Sequence, residues 1–448
     1  MLDILRKNTF RHGTHPPEHK DETSHLEIRR FPFAPVLIVP LSQHLGKPAV
    51  PIVREGQDVM RGQTLAEPDG FVSVAMHAPA SGVVKRIALA PGVNGTMQPS
   101  LYLQPHPAST QEVDDGDPCD IETATPDDII AAIQRAGIVG LGGAAFPTHV
   151  KLKPPEGKTL DTLIINGVEC EPFLTTDHRV MLEQTADIFS GIRYLLRATG
   201  VEKAMIAIEA NKPDAAERLE QERPQDLPVD VQVCPVKYPQ GAEKMVIKSL
   251  LDREVPSGGL PADVGAICIN VATTAEIGRL LPHGRGIQER VITIGGPGIE
   301  RPGNYRIPIG TTVRFALEET GTAENLSRVF LGGPMMGAAV SNLDIPITKG
   351  TSGITAFTTA ETRGSTGHKT VYPCIHCARC VEVCPIFLNP SQLGLLAKNE
   401  QYEQMAEEYN LMDCFECGAC SYVCPAHIPL VQYFRLAKKM VRKLNTPA

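Results

Sequence analysis

The chain contains no tryptophan, and aromatic residues make up only 5% of its 448 positions. A core of that composition is built from aliphatic side chains spread over several small units, not around a few large rings. Long hydrophobic runs are absent as well. The longest, APVLIVPL at 34–41, is short and broken by prolines, far below the roughly 18 apolar residues of a membrane-spanning helix. The N-terminal MLDILRKNTFRHGTH lacks the apolar stretch of a secretory leader. An excess of positive charge is missing too: the formal net charge is -8, which gives no electrostatic footprint for nucleic acid. These absences leave a chain that is soluble or peripheral to a membrane.

Glycine (39) and proline (38) are plentiful, as expected of many turns and small domains. Residues 1–35 form an N-terminal segment whose His12, His15, His19 and His25 lack metal-ligand spacing and read as surface or partner contacts. Residues 36–104 read as short strands punctuated by Gly and Pro. VREGQDVMRGQTL (53–65) followed by APASGVV (78–84) resembles a lipoyl-like barrel-sandwich domain. Where such carriers hold a modified lysine, this chain has EPDGFVSV (67–74), so the domain is expected to be structural. An acidic, aperiodic linker follows at 105–125.

From Pro126 the pattern changes. TPDDIIAAIQRAG carries a Thr cap, a proline at the first helical position, acids in the first turn and a closing Gly. Apolar runs then alternate with helical stretches to about residue 288, which predicts a Rossmann-like α/β layer with a mostly parallel sheet. Residues 289–348 return to short strands, with GGP at 295–297 and 332–334, and predict a small β-grasp module. A Gly/Thr/Ser-rich linker is expected at 349–368, a helical two-cluster domain at 369–430 and a basic helix at 431–448. On that helix Arg435, Lys438, Lys439, Arg442 and Lys443 suit either solvent or an anionic docking partner.

Eight of the twelve cysteines fall in two copies of Cys-x2-Cys-x2-Cys-x3-Cys-Pro: Cys374, Cys377, Cys380 and Cys384, then Cys414, Cys417, Cys420 and Cys424. Three thiolates at this spacing wrap one face of a 4Fe-4S cluster, and the fourth ligates the other cluster. The expected sets are therefore Cys374, Cys377, Cys380 and Cys424 for cluster 1, and Cys414, Cys417, Cys420 and Cys384 for cluster 2. Structural zinc uses pairs of Cys-x2-Cys knuckles and has no use for the third cysteine or the Cys-Pro. His376 and Arg379 inside the first motif, against Glu416 inside the second, predict the higher potential at cluster 1. The other cysteines are scattered, which fits a reducing cytoplasm and not a disulfide framework.

AGIVGLGGAAFPTHVKL (136–152) offers open backbone N–H groups at Gly140, Gly142 and Gly143, with Lys151 as a point charge for a phosphate. The loop follows a helix and not a strand, so it is no dinucleotide fingerprint despite its G-x-G-x-x-A. Two strand ends, NGVECEP (166–172) and INVATTAEI (269–277), and a helix start, YPQGAEK (238–244), join it. In α/β sheets ligands bind beyond the carboxyl ends of the strands.

This series, a glycine loop, N-x-x-E-x-E-P, Y-x-x-G-x-E and N-V-x-T, resembles the flavin-binding subunit of the respiratory NADH dehydrogenase (complex I). With the barrel-sandwich before it and two clusters after it, the chain is similar over nearly its full length to the C subunit family of the Rnf electron-transport complex. The resemblance implies non-covalent FMN, with contacts at Gly140, Gly142, Gly143, Lys151, Asn166, Glu169, Gly241, Glu243, Asn270 and Thr273. It implies that Phe146 and Glu171 face NADH. Hydride transfer needs no catalytic side chain, since FMN does the chemistry. The resemblance further implies hydride exchange between NADH and FMN and single-electron passage through two 4Fe-4S clusters. The implied partners are membrane subunits and a ferredoxin-like subunit, at the cytoplasmic face of the inner membrane, with coupling to cation movement. Leu141 and Ala145 replace Arg and Gly of the complex I loop, and Ala242 replaces an acid, so the NADH side departs most from the pattern. Two alternatives stay open at this point: a soluble cobalamin reductase of microcompartments, and a non-catalytic wiring subunit.

Overall fold

A computed structural model of the chain describes residues 8–93, 95–361 and 370–444. Part of the expected N-terminal segment, part of the expected linker and the last four residues therefore lie outside the described residues.

The barrel-sandwich is two small antiparallel sheets. One orders Leu37–Pro40, Met97–Pro105, Gly82–Pro91 and Asp58–Val59; the other orders Val50–Pro51, Thr64–Glu67 and Met76–His77. Their facing aliphatics, among them Leu37, Leu65, Leu101 and Leu103, are fully buried, as alternating strands require when only one face meets the core. The turn that holds the lysine in carrier domains is exposed here but rests one residue on the α/β layer. Phe71 meets the His149 ring edge-on at 5.5 Å, and its carbonyl lies 2.6 Å from His149 Nε2.

The α/β layer starts at the helix Pro126–Arg135. Thr125 and Asp128 cap its N-terminus reciprocally: the Asp128 N–H donates to Thr125 Oγ1 (3.2 Å) and the Thr125 N–H to Asp128 Oδ2 (3.0 Å). Four parallel strands follow in the spatial order Val229–Cys234, Ala204–Glu209, Thr162–Gly167, Ala266–Asn270. Helices cover both faces, which is why Leu163, Ile164 and Ile165 form an unbroken buried run. The first strand lies inside the sheet. The chain winds away from it on one side, then crosses back to lay Ala266–Asn270 on the other. This reversal places a topological switch point between Asn166 and Asn270, which sit opposite each other in register.

The β-grasp sheet has six strands, ordered Ile28–Arg30, Gly303–Pro308, Glu289–Gly295, Gly353–Thr358, Leu326–Leu331 and Ala338–Ala339. Two of them lie outside the expected 289–348. Gly353–Thr358, within the expected linker, fills the space between two β-grasp strands, and Ile354 and Ala356 are buried there. Its Gly/Thr-rich flanks hid it. Ile28–Arg30, from the N-terminal segment, extends the edge beside Gly303–Pro308.

The C-terminal unit is helical. Pro390–Lys398, Tyr402–Glu407 and Leu430–Leu444 pack Leu393, Met405 and Phe434 around the buried Cys380, Cys384 and Cys420. The basic helix is therefore part of this unit and not a separate tail. Residues 8–28 run across the molecule as a strap. Thr14 bridges to Tyr238, Gly13 N–H donates to Val383 O (3.1 Å), and buried Lys20 donates to the carbonyls of Glu169 (2.8 Å), Glu171 (3.0 Å) and Leu174. His12 lies 3.1 Å from Cys384 O and His19 stacks on Phe173 at 4.6 Å. These two histidines make contacts within the chain, His19 from an exposed position and His12 from a half-buried one.

Candidate functional site

The glycine loop closes over the switch point. The Gly140 N–H donates to Phe146 O (2.9 Å), which folds the loop back on itself, and the Leu141 N–H donates to Thr273 Oγ1 (2.9 Å). Gly142 lies so close to Asn270 that a Cβ would meet its Nδ2 at 2.4 Å. Nothing lies within 4 Å of a Cβ built on Gly143. Gly142, Gly143 and Ala144 are exposed, and their amides make no backbone hydrogen bond among the described residues. Such a cradle of open N–H groups suits a phosphate. Gly140 is different, because its amide is already spent on Phe146.

The side chains at the strand ends are mostly committed to one another. Asn270 caps the helix Val271–Leu280 by accepting from the N–H groups of Ala272 (3.0 Å) and Thr273 (3.2 Å), and donates to Asp177 Oδ2 (2.8 Å). Asn166 donates to Gly241 O (2.9 Å) and accepts from the Val168 N–H (3.1 Å). A Cβ at Gly241 would meet Val168 O at 2.1 Å, so only glycine allows this approach. Lys151 donates to Glu243 and to Cys268 O (2.8 Å). Burial works against the Lys151 charge, but Glu243 outweighs it and the pKa rises.

Gly140, Gly142, Gly143, Lys151, Asn166, Gly241, Glu243, Asn270 and Thr273 thus gather at the switch point. Glu169 does not open onto it. Its two oxygens accept from the Asp177 (2.9 Å) and His178 (3.3 Å) N–H groups at the start of the helix Thr176–Glu183, where a carboxylate offsets the free amides. Glu171, expected to face NADH, accepts through one oxygen from the Met335 (2.6 Å) and Met336 (3.1 Å) N–H groups just after the second GGP. Burial pushes its carboxyl up. Cys170 accepts from the Gly241 N–H (3.3 Å), and burial pushes its thiol up, which fits a packing residue and not a thiolate.

Two buried cations and a partly buried acid were missed from the sequence. Arg290 donates to Leu141 O and to Thr351 O (3.0 Å), and burial lowers it to about 10. Lys349 donates to Gly137 O (2.8 Å) and Ala75 O (2.6 Å), and burial lowers it to about 7. Both arrive from the β-grasp region and grip the flanks of the glycine loop, a long-range contact with no local sequence signal. Asp177, lying in a helix start, is pushed up to about 7 by burial, with Glu169 adding to it.

The cysteines gather in two pockets. Cys374, Cys377, Cys380 and Cys424 line an open cavity of about 250 Å³. Cys384, Cys414, Cys417 and Cys420 line a second one. Burial pushes the Cys380 thiol up, and Cys424, Cys374 and Cys377 add to the same direction as neighbours. Four thiols per pocket are a donor set that fits a 4Fe-4S group. Each pocket takes its fourth cysteine from the other motif, as the interlocked spacing predicts.

Beside the second pocket, Glu416 pairs with Arg435 (3.1 Å) and Lys438 (3.2 Å), and Lys438 also donates to Cys414 O. Two of the five basic residues of the last helix are thereby used inside the chain. The simple charge contrast between the motifs is also altered, because the acid of the second motif is already offset. Tyr238, fully buried, donates its hydroxyl to Cys417 O (2.6 Å), linking the strand-end loop to this pocket.

Four family models match successive parts of the chain: the RnfC barrel sandwich hybrid domain at 8–106, the Nuo51 FMN-binding domain at 133–279, the SLBB domain at 291–339 and the 4Fe-4S dicluster domain at 373–428. Fold and site together define a multidomain flavin and iron–sulfur electron-transfer protein, with FMN and 4Fe-4S clusters as cofactors. Curated relatives narrow this. The chain is 42% identical to the C subunit of a proton-translocating ferredoxin:NAD(+) oxidoreductase complex from Clostridium ljungdahlii, over 96% of this chain and 93% of that one. It is 39% identical to the C subunit of the Na(+)-translocating complex of Acetobacterium woodii, over 98% of each. It is 40% identical to the C subunit of the ion-translocating oxidoreductase complex of Rhodobacter capsulatus, over 98% of this chain and 84% of that one. The chain belongs to this RnfC family.

Proposed function

We propose that the chain is the NADH-oxidising subunit of an ion-translocating ferredoxin:NAD(+) oxidoreductase complex, bound as a peripheral subunit at the cytoplasmic face of the membrane. The observation that carries the reading is the conjunction at the switch point. Open amides at Gly142, Gly143 and Ala144 stand over the paired Asn166 and Asn270, with Lys151 at the side. No helix among the described residues is long and apolar enough to cross a membrane, so anchoring falls to the other subunits. The relatives' family membership, which includes the N-terminal barrel-sandwich, argues against the microcompartment reductase.

When bound, FMN exchanges a hydride with NADH and gives up electrons singly, and the 4Fe-4S groups pass single electrons on. The chain's own residues bind and orient. Gly142, Gly143 and Lys151 receive the phosphate end. Asn166, Gly241, Glu243, Asn270 and Thr273 form the crevice wall, and their mutual hydrogen bonds hold that wall rigid. Glu169 braces it from behind through Asp177. The Phe146 carbonyl closes the loop through the Gly140 N–H and Glu171 fixes the β-grasp turn at Met335 and Met336, and both would serve the NADH side. The eight motif cysteines hold the two clusters in the crossed sets already given.

The test is flavin content and NADH:ferricyanide activity of the anaerobically reconstituted chain. One FMN per chain and NADH-dependent reduction are expected. Gly142→Ala, which drives a methyl into Asn270, should release most of the flavin. A wild-type chain that binds no FMN would sink the reading.

A further inference from the structure

The two cysteine pockets have unlike surroundings. The hydrogen bonds that join residues 370–444 to the rest of the described chain land on Val383, Cys384, Asp413, Cys417 and Arg435, all beside the second pocket. The first pocket is lined only by residues between 371 and 433, all from the helical unit itself. Around it lies a bare run. Every residue from Val371 to Arg379 except Cys374 is exposed, including Val371 (51%), Tyr372 (56%) and Ile375 (66%).

The motif repeat supplies an internal control for this exposure. In the second copy Ala419, the counterpart of Arg379, is buried, and Leu411, the counterpart of Val371, is buried within the helical unit's own core, while Met412, the counterpart of Tyr372, is exposed. Ala378 is exposed, whereas its counterpart Gly418 is buried and sits where a Cβ would meet Met335 O at 2.6 Å. The second copy thus meets the β-grasp and flavin units at Asp413, Cys417 and Gly418, whereas the first copy meets the strap only at Val383 and Cys384 and leaves Val371–Arg379 without such a hydrogen bond among the described residues. Its composition is that of an interface core: Tyr and Arg present, Lys, Glu, Asp and Ser absent from 371–379. Arg379 and, across the pocket, Lys398 enter no ion pair among the described residues.

We propose that Val371–Arg379 is the seat of a second redox-active subunit of the same complex. That subunit presents an apolar patch edged by carboxylates and holds its own one-electron carrier. An exposed apolar cluster around a cofactor pocket marks a covered surface, and its apolar character suits a permanent subunit more than a passing carrier. The unpaired cations supply the charge complement for the carboxylate edge. Cluster 2 then faces the flavin crevice and cluster 1 faces outward. Each passage at this surface moves one electron, oxidising cluster 1 and reducing the partner's carrier, and moves no proton.

This rests on the functional reading above, and the test separates the two. In the purified complex, Val371 is replaced by photo-crosslinking benzoylphenylalanine, with the same label at the exposed Arg218 as control. A crosslink from position 371 to another subunit, and none from 218, is expected. The double variant Val371→Glu with Arg379→Glu should lower co-purification of the other subunits at least tenfold at wild-type iron content. If it loses iron, the crosslink alone decides. A wild-type complex holding FMN and iron in which position 371 crosslinks no subunit, or only a soluble ferredoxin, overturns the surface alone. A wild-type chain lacking FMN or iron overturns the functional reading instead.

Discussion

The two halves of the cysteine repeat share their backbone to a fine level. Ala378 and Gly418 both adopt left-handed conformations, with φ of 61° and 80°, as do His376 and Glu416 at 53° and 61°, and Phe387 and His427 at 57° and 55°. Each half turns into a four-residue helix, Arg379–Glu382 or Ala419–Tyr422. One half nonetheless touches the flavin and β-grasp units at Asp413, Cys417 and Gly418, and the other leaves Val371–Arg379 exposed and meets only the strap, at Val383 and Cys384. The same ligand geometry has been given two stations. The repeat fixes how thiols are presented, and the residues between the thiols record what lies outside.

The largest effects should come from the crossed cysteines. Cys424→Ala should remove the cluster expected with Cys374, Cys377 and Cys380, and Cys384→Ala the cluster expected with Cys414, Cys417 and Cys420. Each should halve the iron per chain while flavin stays bound. EPR of the two variants should show complementary losses. If Cys424→Ala instead spares the signal that Cys374→Ala abolishes, the crossing is wrong.

Next comes the packed glycine. Gly418→Ala combines left-handed strain with a collision at Met335 O and should cost about 3 kcal/mol. The mirror change Ala378→Gly, at an open site, should stay within about 1 kcal/mol. Denaturant unfolding of the two variants measures the difference, and equal effects would break the contrast between the halves.

Tyr238→Phe leaves the Cys417 carbonyl without its buried donor and should cost about 1–2 kcal/mol. The same loss should shift the reduction potential of cluster 2 and leave cluster 1 unchanged in a redox titration, since hydrogen bonds near the ligands tune a cluster. The smallest effect is expected from Glu416→Gln. It leaves Arg435 and Lys438 uncompensated beside the second pocket and should raise the cluster 2 potential. A lowered potential would show that these cations do not act on the cluster.

Much of the site was legible because it is written locally. Spacing alone predicts the crossed cysteine sets, since the fourth thiol cannot reach its own cluster. The helix Pro126–Arg135 follows from its capping residues, and the glycine loop from residues that leave amides open. Legibility ended where contacts are long-range. The strand Gly353–Thr358 reads as a linker because its meaning lies in the two strands it separates. Glu171 reads as a ligand contact by its position in N-x-x-E-x-E-P, yet the amides of Met335 and Met336 claim it from more than 160 positions away in sequence. Arg290 and Lys349 look like ordinary strand and turn residues until the fold buries them against the loop.

The sequence by itself determined the family and the order of the domains, and it carried the expectation of crossed thiol sets and of a glycine loop for a phosphate. Each of these depends on spacing within a few tens of residues at most, or on motifs read in series. Only the tertiary structure decided which side chains of the crevice are free and which are spent on bracing it. It alone decided that the strap of residues 8–28 ties three units together, and that the second cysteine pocket adjoins Tyr238 while the first is lined by the helical unit alone. Those outcomes depend on how separately folded surfaces cover one another, and a local pattern repeated twice carries no record of which copy will be covered.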